Sequence, residues 1–334
     1  MNVRQRLEHN EELLLSPRAC LSENSRGRER AEPPDDVRTC FMRDRDRIIH
    51  SKSFRRLKHK TQCFLAPEGD HYRTRLTHTL EVSQISRTIA RALALNEDLA
   101  EAIAMGHDLG HTPFGHAGES ALNDVHPGGF RHNEHSLRIV ERLEKDGRGL
   151  NLTYEVRQGI LRHTGAALPE TLEGQIIRFA DRIAYINHDI DDAIRGDILS
   201  ERDIPDDISD VLGNRHSMRI NTLVVNMIDY GEQTRRIGLV DEYQKAMDDL
   251  REFLFEKVYR NPRAKSEESK GIDILKRLYD YFCKNPDKLP QDMRPSLEKY
   301  GVNDTVRDYI AGMTDRFAIV RYEDIFVPKG WAKY

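Results

Sequence analysis

Cysteine is scarce in this chain of 334 residues. Cys20, Cys40, Cys63 and Cys283 form no CxxC pair and are too few for a disulfide framework at this length, so free thiols are expected. No stretch approaches the roughly 20 uninterrupted apolar residues of a membrane span. The first thirty residues, with Arg4, Arg6, Glu8, Glu11 and Glu12, lack the apolar core of a signal peptide, and a cytoplasmic protein is expected. Alternating Val, Ile, Thr and Tyr runs at hairpin spacing are missing, which argues against a sheet. Internal repeats are missing too. Neither sign of charge dominates, the formal net charge being −4.

What remains is charge and helical periodicity. Apolar residues make up 38%, charged residues 32%, and the mean hydropathy is −0.68, values of a soluble, charge-rich, helical chain. Residues 1–37 are expected as an irregular arm, because 16–37 carry Pro, Ser, Gly and dense mixed charge with almost no apolar periodicity. Residues 38–334 are expected to form a single all-α domain, with a core at about 70–195 and further helices at about 215–325. Val82, Ile85, Ile89, Ala92 and Leu93 recur at three- and four-residue steps, as do Leu99 and Ile103. Further helices are expected at 134–145, 152–163, 172–195, 218–258 and 272–284, and loops at 164–169, 196–216 and 259–271.

The densest chemistry lies in HDLGHTPFGHAGE (107–119), three histidines and two carboxylates in thirteen residues at the end of an apolar helical stretch. Adjacent His107 and Asp108 supply a nitrogen and an oxygen to a divalent ion, and the glycines and proline that follow break the helix and fold His111, His116 and Glu119 back. A metal site needs further ligands. His78, in RLTHT, and Asp181, an acid among apolar helix positions in RFADR, are the candidates. His116 and Glu119 stand three apart, the spacing at which a carboxylate orients an imidazole on one helical face, although Glu119 could also cap a helix starting near Gly118. Between Phe41 and Lys60 there are eight Lys or Arg against two Asp, a local basic stretch that suits a polyanionic substrate.

The set His78, His107-Asp108, Asp181 resembles the ligand pattern of the HD phosphohydrolase superfamily. Six blocks in order narrow the likeness: RDRDRIIHSKSFRRLKHKTQ (43–62), RTRLTHTLEVSQISRTIAR (73–91), HDLGHTPFGHAGE (107–119), RHNEHSLRIVE (131–141), TLEGQIIRFADRIAYINHDIDDA (171–193) and DYIAGMTD (308–315). Together they resemble the bacterial deoxyguanosine triphosphate triphosphohydrolase family, in its shorter dGTPase-like branch.

That resemblance implies an HD-domain helical bundle with added C-terminal helices and hydrolysis of deoxynucleoside triphosphates to deoxynucleoside and triphosphate. It implies a divalent ion, Mn, Mg, Fe, Co, Ni or Zn, held by His78, His107, Asp108 and Asp181. It implies an acid/base pair His116/Glu119 and a place for His111 near the α-phosphate. Arg75 and Arg182 would approach the phosphates, His132 would neighbour the site, and Gln62, Tyr185 and Asp189 would hold the 3′-hydroxyl, with the Tyr185 ring excluding a ribose 2′-hydroxyl. His135 is expected at the surface, and Asp191 and Asp192 are expected to face solvent or to cap the following turn. The resemblance further implies a homo-oligomer, with a hexamer as one expected size, and a nucleotide or single-stranded DNA effector. Arg55, Arg56 and Lys58 are open to three readings, completing a triphosphate pocket, binding partner subunits or single-stranded nucleic acid, or forming a solvated helix face, the last being the default. Other readings are an HD phosphohydrolase acting on a monophosphate, alarmone or cyclic nucleotide, and a nucleotide-sensing module with weak catalysis.

Overall fold

A computed structural model describes residues 1–62, 73–260 and 262–330, with the backbone alone for 262–266; Cys63, expected as a free thiol, lies outside the described residues. Cys20, Cys40 and Cys283 are free. The helices run α1 (Val3–Leu14), α2 (Cys40–Ile49), α3 (Lys52–Arg56), α4 (Arg75–Ala92), α5 (Glu97–Gly106), α6 (Gly115–Val125), α7 (His132–Arg138), α8 (Glu144–Gly147), α9 (Tyr154–Arg162), α10 (Leu172–Arg195), α11 (Asp206–Leu212), α12 (His216–Thr234), α13 (Asp241–Leu254), α14 (Pro262–Lys284), α15 (Arg294–Ala311) and α16 (Asp315–Phe326). Among the described residues the only β pairing is two isolated bridges, Arg28 with Thr153 and Thr61 with Thr74. The all-α expectation is met.

α5 is the central element. The Asn96 side chain accepts from the N–H groups of Asp98 and Leu99 at 3.1 and 3.2 Å, and Glu97 and Asp98 complement the helix dipole in its first turn. The rest is almost wholly apolar, because α2, α4, α9 and α10 all pack on it. Burial of Leu99 or Ile103 there contributes about 1.5–3 kcal/mol each. α10 begins where the Thr171 hydroxyl accepts from Gly174 N–H at 3.1 Å, and it buries Ile176, Ile177, Ala180, Ile183, Ala184 and Ile190.

The apolar residues fall into two clusters that do not follow the chain order. The first joins α2, α4, α5 and α9–α13. The second joins α14, α15 and α16 to Phe114, Ala117, Ala121 and Leu122 of α6 and its N-terminal turn. α6 thus sits between α5, whose C-cap is His107, and the C-terminal helices.

Several boundaries differ from expectation. The arm 1–37 is not irregular throughout, because α1 forms over Val3–Leu14. It buries no residue and is held by a capping box between Asn2 and Gln5 and by the Arg4–Glu8 pair, so an apolar stripe could not announce it. Beyond it the arm is pinned by carboxylates: Cys20 N–H donates to Glu173, Arg26 N–H to Glu155, and Arg28 pairs with Asp44. The loop expected at 196–216 contains α11, and most of the one expected at 259–271 is the first part of α14, which opens on Pro262.

Candidate metal and catalytic site

α5 ends at Gly106, and His107 is its last capping residue. Its Nδ1 donates to the carbonyl of Ala104 at 2.6 Å, which fixes the tautomer and leaves Nε2 as the ligating atom. That Nε2 is buried with no hydrogen-bond partner among the described residues, 3.4 Å from Asp108 Oδ1 and 3.8 Å from Asp181 Oδ1. His78, from the first turn of α4, directs Nε2 to the same point, 3.1 Å from Asp181 Oδ1 and 3.8 Å from Asp108 Oδ2. His78, His107 and Asp108 offer ligand atoms within 4.8 Å of one another. Four candidate ligands from three helices therefore meet, and the orphaned Nε2 among carboxylate oxygens fits a divalent cation.

The electrostatics demand positive charge here. Burial opposes ionisation of Asp108 and Asp181, but the surrounding histidines, with Arg75 beside Asp108, hold both carboxyls well below the usual range. Burial likewise disfavours a charged His107, yet the two carboxylates raise it to about 9.

Asp108 is braced on both oxygens. His111 Nε2 lies 3.1 Å from Oδ1, and the buried Arg75 guanidinium donates to Oδ2 at 2.9 Å. Burial and the Arg75 charge push His111 well below the ordinary imidazole value, so it serves as a neutral donor. Arg75, expected near phosphates, donates to a candidate ligand.

After Thr112-Pro113 the chain passes through Phe114, left-handed at φ 64°, into α6. Glu119 lies 3.6 Å from His116 Nδ1, and the His116 side chain is 81% exposed. Its closer partner is His132, whose backbone N–H and Nδ1 approach Glu119 Oε1 at 2.9 and 3.0 Å. Burial raises the Glu119 carboxyl, but the contacts to His116 and His132 outweigh it and hold the group far below the normal range. His132 stacks on His111, ring centroids 4.0 Å apart, and Asp108, His111 and His132 form a second group of convergent donors.

His163, just after α9, was not singled out from sequence. Its Nε2 is 3.2 Å from His132 Nε2, its Nδ1 donates to the Ile160 carbonyl at 2.7 Å, and its ring lies 5.1 Å from that of His107. Burial and the nearby His107 push it down to about 3, so it is neutral. An imidazole at the end of an amphipathic helix gives no distinguishing pattern.

On α10, Tyr185 and Asp189 lie one and two turns beyond Asp181, about 6 and 12 Å along the axis. Tyr185 is half-buried against the first cluster, and burial raises its phenol to about 12. Asp189 is buried and accepts a hydrogen bond from the Tyr259 hydroxyl. Arg182 is half-exposed with Asp248 at 3.4 Å. Gln62 has a buried Oε1 that finds no partner among the described residues.

Two solvent-facing expectations fail. His135 is buried, its Nδ1 donating to the Gly110 carbonyl at 3.1 Å and its Nε2 facing Asp308 at 3.4 Å, because α7 packs on the loop after His107. Asp192 is buried as well, its burial raising the carboxyl to about 6, while Asp191 pairs with Arg73 at 3.3 Å. The basic stretch is partly neutralised: Arg43 and Arg47 pair with Glu32 and Arg45 with Glu101, while Arg55, Arg56 and Lys58 are exposed.

Residues 75–186 match the HD domain family and residues 237–324 the phosphohydrolase-associated domain. Fold and histidine–aspartate cluster together define an HD-domain hydrolase. The deoxyguanosinetriphosphate triphosphohydrolase-like protein of Caldanaerobacter subterraneus is 56% identical over 331 residues, covering 99% of this chain and 98% of that protein. A protein of the same description from Clostridium perfringens is 51% identical, covering 98% and 99%. The chain belongs to the deoxyguanosinetriphosphate triphosphohydrolase-like family. A hypothetical protein from Aquifex aeolicus, of known crystal structure, aligns at 19% identity and a TM-score of 0.44, over 85% of this chain and 71% of that one.

Proposed function

We propose that the protein hydrolyses deoxynucleoside triphosphates to a deoxynucleoside and inorganic triphosphate. The observation that carries the reading is the convergence of His78, His107, Asp108 and Asp181 on one buried point, one loop away from Glu119 and its two histidines. A divalent ion held by those four residues would supply Lewis-acid activation of water and of the α-phosphoryl group. Water oxygen bonds to the α-phosphorus, the bond from that phosphorus to O5′ breaks, and O5′ takes a proton.

His116 is the proposed proton donor to O5′, oriented by Glu119, and its exposure in the free protein leaves it able to meet the substrate. Glu119 also holds His132, whose Nε2 faces His163, so that the ring is fixed beside His111 at the edge of the metal cluster. His111 and Arg75 keep Asp108 ionised and oriented. Tyr185 supports deoxyribose selection, its ring one turn from Asp181. Gln62, whose carbonyl oxygen has no partner among the described residues, and Asp189 are the proposed acceptors for the 3′-hydroxyl, and Arg182 a phosphate contact. A homo-oligomer and a nucleotide or single-stranded DNA effector belong to the same reading, tested by light scattering with and without each ligand.

The test incubates metal-reconstituted protein with each of the four dNTPs and with GTP, resolving phosphate products by anion exchange. Intact triphosphate from dNTPs is expected. Pyrophosphate or orthophosphate instead would move the assignment to another HD phosphohydrolase reaction.

A further inference from the structure

The two halves of the site belong to different packing clusters. The four proposed ligands sit on α4, the end of α5 and α10, all in the first cluster. His116 and Glu119 ride on α6, whose apolar side is buried in the second. Their separation is therefore set where the C-terminal helices are tied to the 107–116 loop.

Among the described residues three polar ties are made from residues 308–315, the DYIAGMTD segment, which has no role in the proposed reaction. Asp315, the first residue of α16 and 7% exposed, accepts from Phe114 N–H on Oδ1 at 3.1 Å. Its Oδ2 accepts from Thr61 N–H at 2.9 Å and from the Thr61 hydroxyl. The Ala311 carbonyl accepts from the buried Lys60 ammonium at 2.8 Å, and the same ammonium donates to the His111 carbonyl. Asp308 faces His135, which holds the Gly110 carbonyl.

Asp315 is the tie closest to α6. Phe114 precedes the helix in a left-handed conformation that is unfavourable for a bulky L-residue. That turn persists because its N–H is accepted by Asp315 and its ring is seated on Gly271 of α14, where an added Cβ would come within 3.0 Å of the ring. Released from Asp315, the turn is free to relax and carry His116 with it.

We propose that Asp315 is a positioning residue that sets His116 and Glu119 against the metal-binding cluster, and that the C-terminal helices act on the reaction through it. The kinetic part of this inference rests on the triphosphohydrolase reading. In Asp315→Ala, kcat for dNTP hydrolysis should fall at least tenfold, more than KM changes, with metal content per chain unaltered. Asp315→Asn keeps one acceptor oxygen and should recover part of the loss; should the alanine protein not fold, the asparagine variant decides alone. In a His116→Ala background, Asp315→Asn should cost less than a further twofold, because the imidazole it positions is already gone. A folded variant with unchanged kcat, a fully multiplicative loss in the double variant, or metal lost in step with activity would overturn the proposal. Amide exchange at Phe114, measured in the same proteins, should accelerate at least tenfold, and unchanged protection would also overturn it. A parent that releases no triphosphate from any dNTP would instead refute the triphosphohydrolase reading and leave the exchange measurement to decide on Asp315.

Discussion

His107 is prepared for ligation by the bond it already makes: with Nδ1 spent on the Ala104 carbonyl, only Nε2 is left, buried and without a partner among the described residues. His107→Ala and Asp181→Ala should accordingly lose both bound metal and turnover, measured by metal analysis beside the product assay. His116→Ala should retain metal while turnover falls by a factor on the order of 10² to 10⁴; unchanged turnover would remove His116 from the proton transfer. Tyr185→Ala should accept GTP more nearly as it accepts dGTP, read as the ratio of kcat/KM for the two. The HD dipeptide and its partners at 78 and 181 were legible because ligand chemistry limits which residues serve. His163 and the Arg75–Asp108 pair were not, because which imidazole lies behind which, and which cation is used up by a carboxylate, is decided by helices far apart in sequence.

Among the elements, α6 and α7 are held to the loop after His107 by close approaches only glycine permits. A Cβ on Gly110 would come within 2.2 Å of the His132 carbonyl oxygen and Ser136 nitrogen, and one on Gly118 within 1.9 Å of the Pro113 carbonyl oxygen. Gly110→Ala should therefore force α7 off the loop, lowering stability by about 2–4 kcal/mol in urea unfolding. Asp308 joins α15 to α7 through Arg138 at 2.7 Å and His135. Burial raises its carboxyl, but His135 and Arg138 outweigh this and hold it well below its unfolded value. The sign follows: its contribution is present above about pH 4 and is lost as pH falls toward the depressed folded value. Asp308→Asn should cost about 1–3 kcal/mol at pH 7, and the gap to the parent should narrow below pH 4. Helices with an apolar stripe, α4, α5 and α10, could be read from periodicity. α1 could not, lacking a buried face and held by a capping box and an ion pair.

For the whole molecule, the division into two clusters was invisible in the sequence, because α6 leaves its chain neighbours to pack with α14–α16 and α12 and α13 return to the first cluster. No helix among the described residues is long and apolar enough to cross a membrane. A divalent ion binding only the folded chain should stabilise it by about 2.7 kcal/mol at a hundred times its dissociation constant. Chelation should lower the melting temperature by several degrees in the parent and not in His107→Ala. The most direct test of the account is dNTP hydrolysis in water enriched in oxygen-18, with both products analysed by mass spectrometry. Attack at the α-phosphorus predicts one labelled oxygen in intact triphosphate and none in the deoxynucleoside. Label in the deoxynucleoside, or in pyrophosphate or orthophosphate released in place of triphosphate, would contradict it.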